Sequence, residues 1–227
     1  LIARRVREKN VYSEILPSNT SLKSILSKIP KAIILSGGPA SVFSDDAPDF
    51  DKEVMNINIP ILGICYGLQL LVHHSGGAVD STGEGEYGFA TIKTVAKNGI
   101  TKNMSSSSKV WMSHMDQVTM VPDDWEVVAY SSNNIVAAIA SNDNLRFATQ
   151  FHPEVSHTEE GDILLNNFLF HISDCDKNWT AGNFVNEEIT SLKNKIGKDR
   201  ILVGVSGGVD STVVASLINK AVGGKCL

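Results

Sequence analysis

The 227 residues carry 20 basic and 25 acidic side chains, a formal charge of -5, and 42% of them are hydrophobic. This is ordinary globular composition with enough apolar material for a core, and it fits one large domain or one domain plus part of a second. A surface that neutralises nucleic-acid phosphates would carry an excess of Lys and Arg, so small-molecule chemistry is expected and nucleic acid is not.

The three cysteines, Cys65, Cys175 and Cys226, are widely spaced and form no CxxC pair. That argues against zinc and for a reducing, cytoplasmic setting. No run is long and apolar enough for a bilayer, and no secretory leader is expected.

In chain order, Leu1-Ile2-Ala3 runs into Arg4-Arg5-Val6-Arg7-Glu8, an amphipathic helical pattern without a start methionine, so the chain is expected to begin partway through a domain. Lys31 to Leu35 reads as a buried strand feeding the glycine loop Ser36-Gly37-Gly38-Pro39. Pro60 to Cys65 is a second such strand, followed by Tyr66-Gly67 and a helix from Leu68 to His74. Strands alternating with helices predict a parallel sheet with crossover helices.

Residues 87–155 change character. Short β-rich pieces cover Tyr87 to Val95, Val110 to Met112, Glu126 to Tyr130, Ile135 to Ala140 and Phe147 to Phe151. Turn residues separate them: Asn98-Gly99, the serine run Ser105 to Ser108, read as a solvated loop, and Asn142-Asp143-Asn144. Residues 162–172 read as helical. A boundary falls near Asp174 to Trp179, dividing 1–176 from 177–227. A helix (Asn186 to Ile196), a strand (Arg200 to Val205), the loop Ser206-Gly207-Gly208-Val209-Asp210-Ser211-Thr212 and another helix follow. One strand–loop–helix unit cannot close its own sheet, so the second domain is expected to be incomplete.

Cys65 sits where an apolar strand gives way to a helix, with Gly63 and Gly67 two residues away on either side. A nucleophile on a sharp strand-to-helix turn needs small neighbours. The helix N-terminus favours thiolate over thiol, and the Tyr66 N–H points towards an oxyanion formed on the substrate. In Gln150-Phe151-His152-Pro153-Glu154, the proline biases His152 towards extended backbone, where positions i and i+2 share a side. His152 is then placed to act as base and Glu154 to hold its tautomer.

Leu35-Ser36-Gly37-Gly38-Pro39, Gly63-Ile64-Cys65-Tyr66-Gly67-Leu68-Gln69 and Gln150-Phe151-His152-Pro153-Glu154 together resemble the class I glutamine amidotransferases. The resemblance implies an α/β fold with a flavodoxin-like open sheet and helices on both faces. It implies that Cys65 attacks the glutamine side-chain amide, releasing ammonia through a glutamyl thioester. It also implies a second oxyanion N–H from Gly38 and glutamine contacts from Gln69, Ser113, His114 and Asp116.

Ser206 to Thr212 makes an anion nest at a helix N-terminus but lacks the Gly-Lys-Ser/Thr ending of a Walker loop. It resembles the pyrophosphate loop of the ATP pyrophosphatases, the start of a truncated Rossmann-like segment. Ser206, Gly207, Gly208, Val209, Asp210, Ser211 and Thr212 would then bind ATP. The two resemblances together imply a ligase of purine biosynthesis in which ATP with Mg²⁺ adenylates xanthosine monophosphate (XMP) and ammonia displaces AMP to give GMP. They also imply a homodimer formed through a domain beyond these residues. An amidotransferase serving another ATP pyrophosphatase and a catalytically silent docking fragment are the alternatives.

Departures from the family are a missing first strand, the missing remainder of the second domain, and Ser113-His114-Met115-Asp116 where His-Gly-Asp is usual. Met115 places a Cβ where flexible or left-handed backbone can be needed. His73 and His74, adjacent on a helix, are not expected to bind metal. His157 shows no partner, Glu84 and Glu86 read as a solvated loop, and Cys175 and Cys226 read as structural. Trp111, Trp125 and Trp179 read as packing residues.

Overall fold

The structure, a computed structural model, describes residues 1–45, 47–80, 85–97 and 99–223; Glu84, Asn98 and Cys226, singled out above, lie outside the described residues. The chain divides into two units, Leu1–Asp176 and Lys177–Leu227.

The first unit begins with α1 (Ile2–Glu8), α2 (Leu22–Leu26) and β1 (Ile33–Leu35). Next come β2 (Ile61–Ile64), α3 (Tyr66–His74), β3 (Ala78–Asp80), β4 (Glu86–Thr94) and β5 (Ser107–His114). It closes with β6 (Gln117–Met120), β7 (Trp125–Ser131), β8 (Val136–Ser141), β9 (Arg146–Thr149) and α4 (Gly161–Asn166), which runs on into a π-helical turn over Asn167–Ile172. A seven-stranded sheet has the order β1-β2-β9-β8-β7-β4-β5, and β3 pairs with β6 in a separate ribbon. Pairing is parallel only from β1 through β2 to β9 and antiparallel beyond. The strand–helix alternation of the sequence thus describes one side of the sheet, and the β-rich middle supplies the other.

Side-chain alternation assigns the two faces. Leu62, Ile64 and Phe147 pack with Val6 and with Leu164, Leu165 and Phe168. Ile61 and Ala148 pack on the other face with Leu68, Leu71 and Val72, against which Leu22 and Ile25 lie half-buried. Helices therefore cover both faces, α1 and α4 on one and α2 and α3 on the other. The approach to β2 is fixed by Arg146, whose guanidinium donates to the carbonyls of Met55 (2.7 Å), Ile57 (2.6 Å) and Ile59 (3.0 Å).

Three expectations are corrected. Ser107 and Ser108 belong to β5 rather than to a solvated loop, and Ser108 is buried by pairing with β4. Glu86 starts β4 and is buried, because β7 brings hydrogen-bond donors to its carboxylate. Arg200 to Val205 forms no strand: Ile201 makes a single bridge, Leu202 to Val205 take no regular structure, and Leu202 is 84% exposed. A strand needs a ladder of partners, and among the described residues no ladder includes this segment. Among the described residues, the second unit holds α5 (Ala181–Ile196), with Thr180 capping its N-terminus, and α6 (Val209–Val222). Among the described residues, no helix is long and apolar enough to cross a membrane.

Candidate active site

Cys65 follows β2 and caps the start of α3 with φ 55° and ψ -104°, a left-handed backbone that a non-glycine residue adopts only when its surroundings impose it. They do so here. The Cys65 N–H donates to the Thr149 carbonyl at 2.7 Å, and the Cys65 carbonyl accepts from Leu68 and Gln69. The flanking glycines are required by close packing. A Cβ on Gly63 would stand 2.5 Å from the Gly67 carbonyl oxygen, and one on Gly67 would overlap the Leu35 carbonyl.

Around the buried sulfur lie the Ser113 carbonyl oxygen at 3.5 Å, the Gln150 carboxamide nitrogen at 3.8 Å and the His152 ring. The Ser36–Pro39 loop crosses this turn. A Cβ on Gly37 would lie 3.0 Å from His152 Cε1, and one on Gly38 3.8 Å from Tyr66 Cγ.

His152 is held on both sides of its backbone. Its N–H donates to the Trp111 carbonyl at 3.0 Å, and its carbonyl accepts from Thr158 Oγ1 at 2.6 Å. Thr158 Oγ1 in turn accepts from the Trp111 N–H at 3.1 Å. Edge strand β5 thus fixes the imidazole, whose Nδ1 stands 2.9 Å from Glu154 Oε1. The hydrogen bond to the Cys65 sulfur, then that to the Glu154 carboxylate, push His152 up to about 10 against the opposing effect of burial. Arg5 of α1 donates to the Glu154 carbonyl at 2.8 Å.

The expected glutamine contacts gather at the same turn, through main-chain atoms more than side chains. Gln69, one helical turn from Cys65, donates its amide to the Asp116 carbonyl at 2.9 Å. His114 Nδ1 meets that same oxygen at 3.0 Å, and Ser113 presents its carbonyl rather than its exposed hydroxyl to Cys65. Burial pushes the His114 imidazole down. Met115 is 46% exposed and does not adopt the left-handed backbone that its replacement of glycine made a concern.

Three further features are not legible in the sequence. Glu86 accepts from Ser131 Oγ at 2.9 Å and Asn133 Nδ2 at 2.8 Å and faces His114. Gln150 is fully buried against the sulfur. His157, expected to lack a partner, lies tilted against Trp111 at 4.6 Å and meets Phe89 edge-on at 5.6 Å, a surface aromatic cluster. His73 and His74 pack against Phe43 and Phe50, and no group of three metal-ligating side chains occurs among the described residues.

In the second unit, Gly208 caps α6 and Gly207 has φ +82° with open space where a Cβ would stand. Ser206 and Ser211 hydroxyls meet at 3.1 Å, and Thr212 Oγ1 donates to the Gly208 carbonyl at 2.8 Å. The loop is exposed except at Ser211, which is half-buried.

The chain matches the family described as Glutamine amidotransferase class-I over residues 1–172, and that described as NAD synthase over residues 182–226. It is 47% identical over 223 residues to "GMP synthase [glutamine-hydrolyzing]" of Brachyspira hyodysenteriae, covering 98% of this chain and 43% of that protein. The protein of the same description in Campylobacter hominis is 48% identical over 218 residues, again with 43% of its length covered. The chain therefore spans less than half the length of these curated relatives. Among solved structures, a Thermoplasma acidophilum protein described as one subunit of a GMP synthase is 30% identical with a TM-score of 0.65, covering 76% of this chain and 86% of that one. A glutamine amidotransferase from Thermotoga maritima shares the fold, with a TM-score of 0.57 at 18% identity over 97% of this chain and 83% of its own.

Proposed function

Because the chain belongs to the class I glutamine amidotransferases, we propose that Leu1–Asp176 hydrolyses glutamine and that the released ammonia serves the amination of XMP to GMP. The observation that carries the first step is the left-handed Cys65 turn with His152 at its sulfur and Glu154 2.9 Å from Nδ1. His152, raised to about 10 and therefore already holding a proton at neutral pH, faces the Cys65 sulfur as that sulfur attacks the glutamine side-chain carbonyl, and Glu154 holds the ring through Nδ1–H. The oxyanion is met by the main-chain N–H groups of Tyr66 and Gly38; losing one such donor commonly costs about 10²–10³ in rate. His152 gives its proton to the leaving ammonia as the C–N bond breaks, then takes one from the water that cleaves the thioester to glutamate. Gln69, His114 and the Ser113–Asp116 turn form the wall against which glutamine lies.

The acceptor half is read from the second unit. Ser206 to Thr212 would hold the pyrophosphate of ATP with its Mg²⁺. The left-handed Gly207, open where a Cβ would stand, fits the close approach of an anion to backbone. ATP supplies the activation of XMP when bound. The XMP acceptor is favoured over that of another ATP pyrophosphatase because the curated relatives spanning both units carry the GMP synthase name. A cytoplasmic setting and homodimerisation through residues beyond these belong to the same reading.

The test is labelling by diazo-oxo-norleucine, a glutamine-analogue electrophile, followed by peptide mapping. Modification of Cys65 that glutamine protects against, and its disappearance in Cys65→Ala, are expected. Ammonia release retained by Cys65→Ala would sink the nucleophile assignment.

A further inference from the structure

The Glu86 carboxylate is 45 residues distant in sequence from one of its partners and is nearly enclosed. Its Oε1 accepts from Ser131 Oγ and Asn133 Nδ2, so that oxygen is fixed by β7 and the turn after it. Its Oε2 stands 3.4 Å from His114 Nε2. The other ring nitrogen, Nδ1, stands 3.0 Å from the Asp116 carbonyl, which also accepts from Gln69 at 2.9 Å. A continuous path of hydrogen bonds therefore runs from β7 through Glu86, His114 and the Asp116 carbonyl to Gln69.

Counting protons sharpens the role of this path. The Asp116 carbonyl can only accept, so Nδ1 must carry a hydrogen. Nε2 then faces a carboxyl oxygen, and two lone pairs cannot face each other there. One further proton has to lie between Glu86 Oε2 and His114 Nε2, whether as carboxylate with imidazolium or as carboxylic acid with neutral imidazole. Without Glu86, only the Asp116 carbonyl favours Nδ1–H, and an Nε2–H ring would turn its Nδ1 lone pair on that carbonyl.

We propose that Glu86 is a positioning residue of the glutamine site: with one shared proton, it keeps the Nδ1–H of His114 on the Asp116 carbonyl and thereby fixes the Ser113–Asp116 turn that carries the Gln69 acceptor and faces Cys65. This inference rests on the glutaminase reading above for its link to glutamine, but not for its proton count. The titratable groups facing the pair are His152, whose charge opposes a charge on His114, Cys65 against the Ser113 carbonyl, and Asp116 in the same turn.

Three measurements on the 227-residue protein test it. Glutamine protection of Cys65 against diazo-oxo-norleucine gives the affinity, and the unprotected labelling rate gives the reactivity of the sulfur. Glu86→Ala is expected to weaken glutamine about tenfold, the size of one lost hydrogen bond to a charged group, with a smaller change in labelling rate. Glu86→Gln can keep its oxygen on Ser131 and Asn133 and donate its amide to Nε2, so it should restore the affinity that alanine loses. It has no shared proton to release, so the weakening of glutamine binding with rising pH that the proposal expects of wild type should be absent in this variant. Unchanged affinity in Glu86→Ala, or a pH profile in Glu86→Gln identical to wild type, would overturn the proposal. Ring ¹⁵N resonances of His114 decide the proton count without substrate. A protonated Nδ1 in wild type and Glu86→Gln is expected, and an unprotonated Nδ1 overturns it even if Glu86→Ala does not fold. Wild-type protein that is never labelled would strike the glutaminase reading instead, leaving the ¹⁵N result to judge Glu86.

Discussion

Two segments of this chain are nearly the same to read, yet they take different structures. Ile61-Leu62-Gly63-Ile64-Cys65-Tyr66-Gly67 and Ile201-Leu202-Val203-Gly204-Val205-Ser206-Gly207 are both apolar runs that enter a glycine turn at a helix N-terminus. In the first, β2 has β1 on one side and β9 on the other, and Leu62 is fully buried. In the second, Leu202 is 84% exposed and Val205 55% exposed. The first turn is locked tightly enough to hold a cysteine at φ 55°, whereas the second uses a glycine at φ +82°. A motif names a chemistry; hydrogen-bonded neighbours supply the geometry that chemistry needs.

The locked turn at Cys65 should respond most strongly to substitution. Glu154→Ala should lower glutamine hydrolysis by roughly 10²–10⁴, the usual worth of an oriented general base, while leaving the fold intact. The same variant has a pH signature. His152 is raised from 6.5 to about 10, so its contribution to stability is complete below pH 6.5 and is lost as pH rises towards about 10. Removing the carboxylate removes one of the two causes, and the upper edge of that window should move down. Denaturation midpoints of wild type and variant across pH 6 to 10 measure it, at roughly one-unit spacing. Superimposable profiles would dissociate Glu154 from His152.

Next in size are Leu62→Ala and Gly207→Ala. Leu62→Ala should cost about 2–5 kcal/mol by urea denaturation, because the side chain leaves a cavity between the sheet and α1 and α4. Gly207→Ala should cost about 1–2 kcal/mol locally, the strain of a left-handed non-glycine residue. That loss should appear as faster amide exchange at the start of α6. Unchanged exchange at the start of α6 in Gly207→Ala would show that its left-handed backbone carries no such strain.

Much of the first turn is legible in the sequence because its information is local. Gly63 and Gly67 bracket Cys65 within a few residues, and His152 and Glu154 stand two residues apart, although the structure joins them by a turn at Pro153 and Glu154 and not by the extended segment that the proline suggests. Glu86 reads as a loop residue because Gly85 and Gly88 surround it, and the cause of its burial is distant: Ser131 and Asn133 arrive with β7. Ser107 and Ser108 mislead for a related reason, since pairing with β4 overrides their low strand propensity. The segment after Arg200 fails in the opposite direction. Its apolar pattern is that of a strand, but strand formation depends on partners that a local pattern does not contain.

The smallest expected effect is therefore the most direct test of that last point. Leu202 occupies in its segment the place that Leu62 occupies in β2, second in an apolar run that leads to a glycine. Composition assigns both leucines to a core. Burial assigns only Leu62, since an 84% exposed side chain has almost no apolar area to lose from folding. Leu202→Ala should shift stability by less than about 0.5 kcal/mol, the range of surface substitutions, and should leave exchange protection in α5 and α6 unchanged. A loss of about 2 kcal/mol or more, the lower bound for a core leucine, would mean that Leu202 is packed in solution. The two segments would then be alike in structure as well as in sequence.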